Sequence, residues 1–178
     1  MNYEEFLKFI ESRQATRSFS GKEIEKDVLE KIVSAARLTP SACNSQPWKM
    51  YVVTDKEKVA AVAKTMQNEG KNAFLSEAKA FIVLSEVVRP LLSTVKNKNG
   101  NAHFVKYDVG ELAAYVTLAA KAAGVDSCII GWIDVPALKK ELNMADEEDC
   151  SIAVALGYGD KPLRDKIRLP EKDTVKFI

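Results

Sequence analysis

Four short stretches hold residues whose types and spacing suit chemistry. In "RQATRSF" (residues 13–19), Arg13 and Arg17 lie four apart where a helical pattern ends. Guanidinium forks grip phosphate oxygens in pairs; the alternative is a solvated helix end whose cations complement the dipole. In "KIRLP" (residues 166–170), with Arg164 just before it, Lys166 and Arg168 sit near the opposite end of the chain. Beside Arg13 they would complete a pocket for a dianion; by themselves they read as a solvated basic loop. In "SCIIGWID" (residues 127–134), Gly131 interrupts a strand pattern. Such a glycine lets a flat group approach the backbone, or else marks a bulge or a strand end. Finally, "TPSACNSQPWKMYVV" (residues 39–53) places Pro40, Ser41, Cys43, Asn44, Ser45, Gln46 and Pro47 ahead of an apolar run. It is a connection, a ligand loop, or the seat of a reactive thiol.

Several chemistries lack their parts. No GxGxxG or GxxxxGK[ST] fingerprint is present. The three cysteines, Cys43, Cys128 and Cys150, are widely spaced without a CxxC pair, which argues against a disulfide framework or zinc site. The sole histidine, His103, sits in a polar loop and not beside a GxSxG elbow, so a serine triad is not supported and no metal is expected. Cys43 has no base except that same histidine, and its default role is packing.

The chain that must position these stretches has 178 residues, 47% apolar and 29% charged, enough for one domain with a proper core. Its formal charge of +1, from 26 basic and 25 acidic residues, argues against general nucleic-acid or membrane-surface binding. The N-terminal residues lack a signal-peptide apolar core, and no run of ~18 apolar residues could span a bilayer. A cytoplasmic protein with reduced thiols is expected.

Periodicity predicts a first helix on Tyr3, Phe6, Leu7 and Ile10, and a second on Ile24, Val28, Leu29, Ile32, Val33 and Ala36 that stops before Pro40. Strands are predicted at residues 49–54, 78–86, 126–133 and 150–159. Helices are predicted at 55–66, with Asp55 as N-cap, and at 134–144, with Asp134 as N-cap and Pro136 in the first turn. Residues 108–124 read as an alanine-rich helix, nearly apolar all round and buried on most sides in a core or subunit interface. The polar stretch 96–103 reads as a lid-like loop. The C-terminal "TVKFI" is strand-like and could extend the sheet of a second subunit.

The order of these stretches resembles the nitroreductase family of FMN-dependent oxidoreductases. The resemblance covers nearly the whole chain and is most specific at Pro40, Ser41, Asn44, Gln46, Pro47 and Trp48. It implies an α+β fold over residues 1–178: a three-layer α-β-α sandwich with a mixed central sheet and a C-terminal strand exchanged between subunits. It implies a homodimer with FMN at the interface, NAD(P)H as reductant and a nitroaromatic, quinone or related conjugated small molecule as acceptor. Arg13, the backbone of Gln14 and Ala15, Lys166 and Arg168 would hold the FMN phosphate. Arg17 would lie near the pyrimidine edge of the flavin and Asn72 would hydrogen-bond its ring. Ile130 and Gly131 would back the ring, the Gly131 N–H donating to N5. Ser41, Asn44 and Ser45 would come from the other subunit, and the alanine-rich helix would be the dimer helix.

The chain departs from the family pattern at two places. Ala15 stands where a hydroxyl commonly bonds the phosphate, a loss of roughly 1.5–3 kcal/mol for one bond to an anion. Trp132 follows Gly131 where relatives carry a small residue, and would either crowd the site and narrow the acceptor range or pack in the core. Two other readings stay open here: a flavin carrier or redox sensor without robust turnover, and a cofactor-free interaction domain of the same shape.

Overall fold

Alternation along the two central strands builds the layers. In β2 (Ala80–Glu86), Ala80, Ile82 and Leu84 face one side while Phe81 and Val83 face the other. In β4 (Asp149–Gly157), Val154 and Leu156 oppose Ala153 and Ala155 in the same way. A strand buried on both faces must be covered by helices on both, and it is. The computed structural model describes residues 1–89 and 104–178. On one face, α2 (Lys26–Ala36) and α4 (Val105–Ala122) bury Leu29, Ile32, Ala36, Leu112, Val116 and Ala120. On the other, α3 (Lys56–Lys64) and α5 (Val135–Leu142) contribute Val59, Val62 and Leu138. This is the expected three-layer α-β-α arrangement.

With β1 (Trp48–Val53) and β3 (Asp126–Ile130), the sheet runs β1-β2-β4-β3, every named pair antiparallel. Among the described residues, the parallel component expected of a mixed sheet amounts to one isolated bridge, Ala15 with Ser127. The predicted caps form: Asp55 accepts the N–H groups of Glu57 and Lys58, and Asp134 accepts that of Ala137.

Within the single chain one side of the alanine-rich helix is uncovered: Tyr107, Gly110, Glu111, Ala114 and Tyr115 of α4 are exposed, because the sheet and α2 take only its other side. Residues 174–178 form no strand within the chain and are exposed. The lid expected at 96–103, His103 included, lies outside the described residues. Among the described residues, no helix is long and apolar enough to cross a membrane.

Candidate functional site

Residues 13–20 lie across the ends of β3 and β4. The Thr16 N–H donates to the Ser127 carbonyl at 2.9 Å, and that of Ser20 to the Tyr158 carbonyl at 2.8 Å. Phe19 is buried and seals the segment: a Cβ on Gly157 would stand 2.6 Å from its ring, so only glycine fits there. The preceding helix, α1 (Tyr3–Ser12), starts with a capping box in which Asn2 and Glu5 exchange hydrogen bonds. It ends at Arg13, whose N–H still donates to the Ile10 carbonyl.

The C-terminal basic stretch folds back onto this segment. The Gln14 carboxamide donates to the Pro162 carbonyl at 3.3 Å and accepts from both the Arg164 N–H and its Nε, each at 3.2 Å. A terminal guanidinium nitrogen of Arg164 donates to the Ala15 carbonyl at 2.7 Å, and the Lys166 ammonium donates to the Arg13 carbonyl. The outcome is a cleft of about 520 Å³ lined by Arg13, Lys166 and Arg168, with Glu11, Ile10 and Ile129 beside them and Gly110, Ala114, Thr117 and Leu118 of α4 as its wall.

Charge in the cleft is mostly positive, Glu11 being the one acidic residue of its lining. Among the described residues, no carboxylate lies within ion-pairing distance of Arg13, Arg17, Arg164, Lys166 or Arg168. Burial, followed by repulsion from Arg13, Arg168 and Arg164, pulls the Lys166 ammonium below the usual lysine range, with Glu11 opposing. Nor do the N–H groups of Gln14 and Ala15 donate to protein acceptors among the described residues. Cations crowded together and spare backbone donors fit an oxyanion such as the phosphate of FMN. The small and apolar surface of Gly110, Ala114 and Ile129 suits an extended group attached to it.

The other predicted residues fall in three places. Arg17 is exposed on a neighbouring depression with Gln14, Ala15, Ser18 and Arg164. Asn72 is left-handed (φ 56°), and one N–H of its Nδ2 donates to the Met66 carbonyl at 3.0 Å, which orients the carboxamide and leaves its oxygen and second N–H without a bond among the described residues. Its neighbour Lys71 lies over the ring of Trp132, 4.3 Å from the centroid, which brings the Asn72 turn beside Gly131. The Ile130 side chain is buried with α3 and α5; strand alternation makes Ile129 the residue that faces the cleft, leaving Ile130 only its backbone.

Ser41, Asn44 and Ser45 do not line the cleft of their own chain. The Ala42 N–H is tied to the buried Asp108 of α4, at 3.2 and 3.3 Å from its two oxygens, and Ser41 Oγ accepts the Gln46 N–H at 2.9 Å. Cys43, Asn44 and Gln46 are all left-handed, with φ of 51°, 51° and 46°. Three such non-glycine residues in four positions are costly and cluster at functional sites. Cys43 is exposed; burial pushes the thiol of Cys128 up, and that of Cys150 up to about 12, so neither buried thiol is poised as a nucleophile.

Sequence reasoning left Arg164 and the α4 wall out of the site. Arg164 carried the same signal as its neighbours in the basic run. The wall was legible as small residues four apart, Gly110 and Ala114, on one helical face.

Residues 10–158 match the profile of the nitroreductase family. The chain belongs to that family. An Archaeoglobus fulgidus protein provisionally named an NADH dehydrogenase/NAD(P)H nitroreductase is 31% identical over 159 residues, spanning 87% of this chain and 86% of that one. A nitroreductase family protein from Streptococcus pneumoniae TIGR4 superposes with a TM-score of 0.85 at 23% identity, covering 97% of this chain and 100% of that one. An FMN-dependent nitroreductase from Clostridium difficile R20291 superposes with a TM-score of 0.75 at 25% identity, covering 96% and 98%.

Proposed function

We propose that this chain is an FMN-dependent NAD(P)H oxidoreductase. Residues 1–178 form one FMN-binding domain that works as a homodimer in the cytoplasm and reduces a nitroaromatic, quinone or related conjugated acceptor. The observation that carries the reading is the convergence of Arg13 with Lys166, 153 residues away, and with Arg168 on a cleft where, among the described residues, no carboxylate pairs with them. The names of the Archaeoglobus and Clostridium relatives support NAD(P)H and FMN respectively.

When bound, FMN supplies the hydride chemistry at N5, between NAD(P)H and the acceptor. The chain's residues bind and orient. Arg13, Lys166 and Arg168, with the N–H groups of Gln14 and Ala15, hold the phosphate. Arg17 provides positive charge near the pyrimidine edge, where the reduced ring carries negative charge. The free oxygen of Asn72 accepts from the ring, and the Gly131 N–H donates toward N5. Ile130 contributes backbone. Ser41, Asn44 and Ser45 reach the site from the second subunit, whose contact face includes the exposed side of α4. The C-terminal 174–178 segment pairs with the sheet of that subunit.

The test is the purified protein's spectrum and its response to reductant. Flavin absorbance near about 450 nm, bleached by NADH or NADPH and restored by menadione or a nitroaromatic, is the expected result. Bound flavin that neither nicotinamide reduces would reject the reductase and leave a carrier or sensor. Colourless protein that cannot be reconstituted with FMN would reject flavin binding altogether.

A further inference from the structure

Lys71 and Trp132 meet beside Gly131, and the surrounding backbone is pinned on both sides. On the Lys71 side, Glu69, Gly70 and Asn72 are all left-handed. The Gln67 carboxamide donates to the Asn72 carbonyl at 3.3 Å, to the Ala73 carbonyl at 3.1 Å and to Ser76 Oγ at 2.9 Å, and the Lys71 N–H donates to the Asn68 carbonyl at 3.2 Å. On the Trp132 side, the Asp134 N–H donates to the Thr65 carbonyl at 2.8 Å, which ties the segment to the end of α3. The two side chains are held together but not hidden: Trp132 is 46% exposed and Lys71 is exposed.

Their bonding is incomplete. Among the described residues, no carboxylate lies within ion-pairing distance of Lys71. Lys49 makes the informative contrast. It also lies over a ring, that of Tyr51, but is paired with Glu148 at 3.4 Å. An ammonium over an indole uses one side of its charge and keeps donors for an anion. Trp132 follows Ile129 by three residues, a reach of at most about 10 Å, so the run leads from the phosphate cleft past the end of β3 through Gly131 to this pair.

We infer that Lys71 and Trp132 select the electron acceptor: Trp132 presents a face to a flat ring and Lys71 a cation to an anionic substituent on it. The favoured class is aromatic acceptors that carry a carboxylate or a similar anion. This rests on the reductase reading. For a nitro acceptor, the nitro group takes a hydride and a proton, becomes a nitroso group and releases water, while NAD(P)H is oxidised to NAD(P)+.

The experiment compares 4-nitrobenzoate with its neutral amide, 4-nitrobenzamide, as acceptors for the FMN-loaded enzyme, with menadione as control. One bond from an ammonium to a carboxylate is expected to favour the benzoate roughly tenfold in kcat/KM, chiefly through KM. Lys71→Met should bring that ratio near unity, Lys71→Arg should keep most of it, and Trp132→Ala should raise KM for both nitro compounds. Turnover of menadione with no preference for the benzoate overturns this inference and leaves the reductase reading standing. So does a preference that Lys71→Met leaves in place, or a loss in Lys71→Met that is equal for both nitro compounds. No reduction of bound flavin by either nicotinamide overturns both.

Discussion

Arg13, Lys166 and Arg168 line the cleft and Arg164 lies close by, and among the described residues no carboxylate is in pairing range of any of them. Beside the start of β4 the reverse holds: the buried Glu148 accepts from Tyr51 at 2.9 Å on both oxygens, from Ser85, and from Lys49 at 3.4 Å. Glu86, also buried, accepts from Ser151 and pairs with Lys106 at 3.7 Å. Burial pushes the Glu148 carboxyl up, but the hydrogen bonds from Ser85, Tyr51 and Lys49 more than offset it and hold it below the usual range. The carboxylate cluster is complete within the chain, whereas the cation cluster has like charge left over. Leftover charge of one sign marks a ligand site, and satisfied charge marks structure.

The strongest way to break this comparison is to remove cations from the cleft. Two charge-assisted hydrogen bonds at roughly 1.5–3 kcal/mol each make Arg13→Gln with Lys166→Gln worth about 3–6 kcal/mol of FMN affinity. The cofactor-free variant should melt no lower than the parent, because repulsion is relieved. Flavin fluorescence titration and a melt of the apoprotein read the two arms. A melting point several degrees lower would make the cations structural and void the contrast.

The carboxylate side should respond oppositely. Glu148→Ala strands the buried Ser85 hydroxyl and removes the acceptor of the half-buried Tyr51 hydroxyl, and should cost about 2–3 kcal/mol in denaturant unfolding, with FMN affinity unchanged. The folded pKa of Glu148 lies below its unfolded 4.5, so its stabilisation is complete above that value and is lost as pH falls through the lower folded value. Glu148→Gln should therefore flatten the acid limb of the stability profile. An unaltered limb would show that the cluster carries no net stability.

The cation half of this contrast was legible in the sequence, and the Glu148 and Glu86 half was not. The two basic runs held Arg13, Lys166 and Arg168, the family resemblance gave them a shared phosphate, and local periodicity found the helices and strands, because those signals reside in the residues themselves. What the sequence concealed were facts of three-dimensional placement. The reading that Gln14 contributes only backbone overlooked its side chain, whose bonds reach Arg164, 150 residues away. Ile129, not Ile130, faces the cleft because strand parity fixes the side, and parity depends on where β3 starts. The "TVKFI" pattern is strand-like, but a strand needs an edge, and sequence alone does not say whose edge it is.

Gln14 gives a finer test. Its carboxamide holds Pro162 and Arg164 in place, and so carries Lys166 and Arg168 into the cleft without itself adding charge there. Gln14→Ala removes these neutral and charge-assisted bonds, and should weaken FMN binding by about 1–2 kcal/mol. Trypsin should cut faster after Arg164 and Lys166 as the tail detaches. Normal affinity together with normal protection would mean that the tail holds its place without Gln14.

The smallest effect is also the one that separates repulsion from ligand binding within a single residue. In the free protein, burial and the neighbouring guanidinium groups pull the Lys166 ammonium below its ordinary 10.5. As pH rises through that lowered value the ammonium is lost, the repulsion goes with it, and the cost of the cluster to folding shrinks. A bound phosphate would act the other way and keep the proton on Lys166. FMN affinity should therefore fall a few-fold as pH climbs toward the ordinary lysine value of 10.5, over the same range in which the apoprotein loses its penalty. Lys166→Met should abolish both trends at once. If affinity fell equally in the variant, the pH dependence would belong to another group, and Lys166 would be a neighbour of the phosphate site and not part of it.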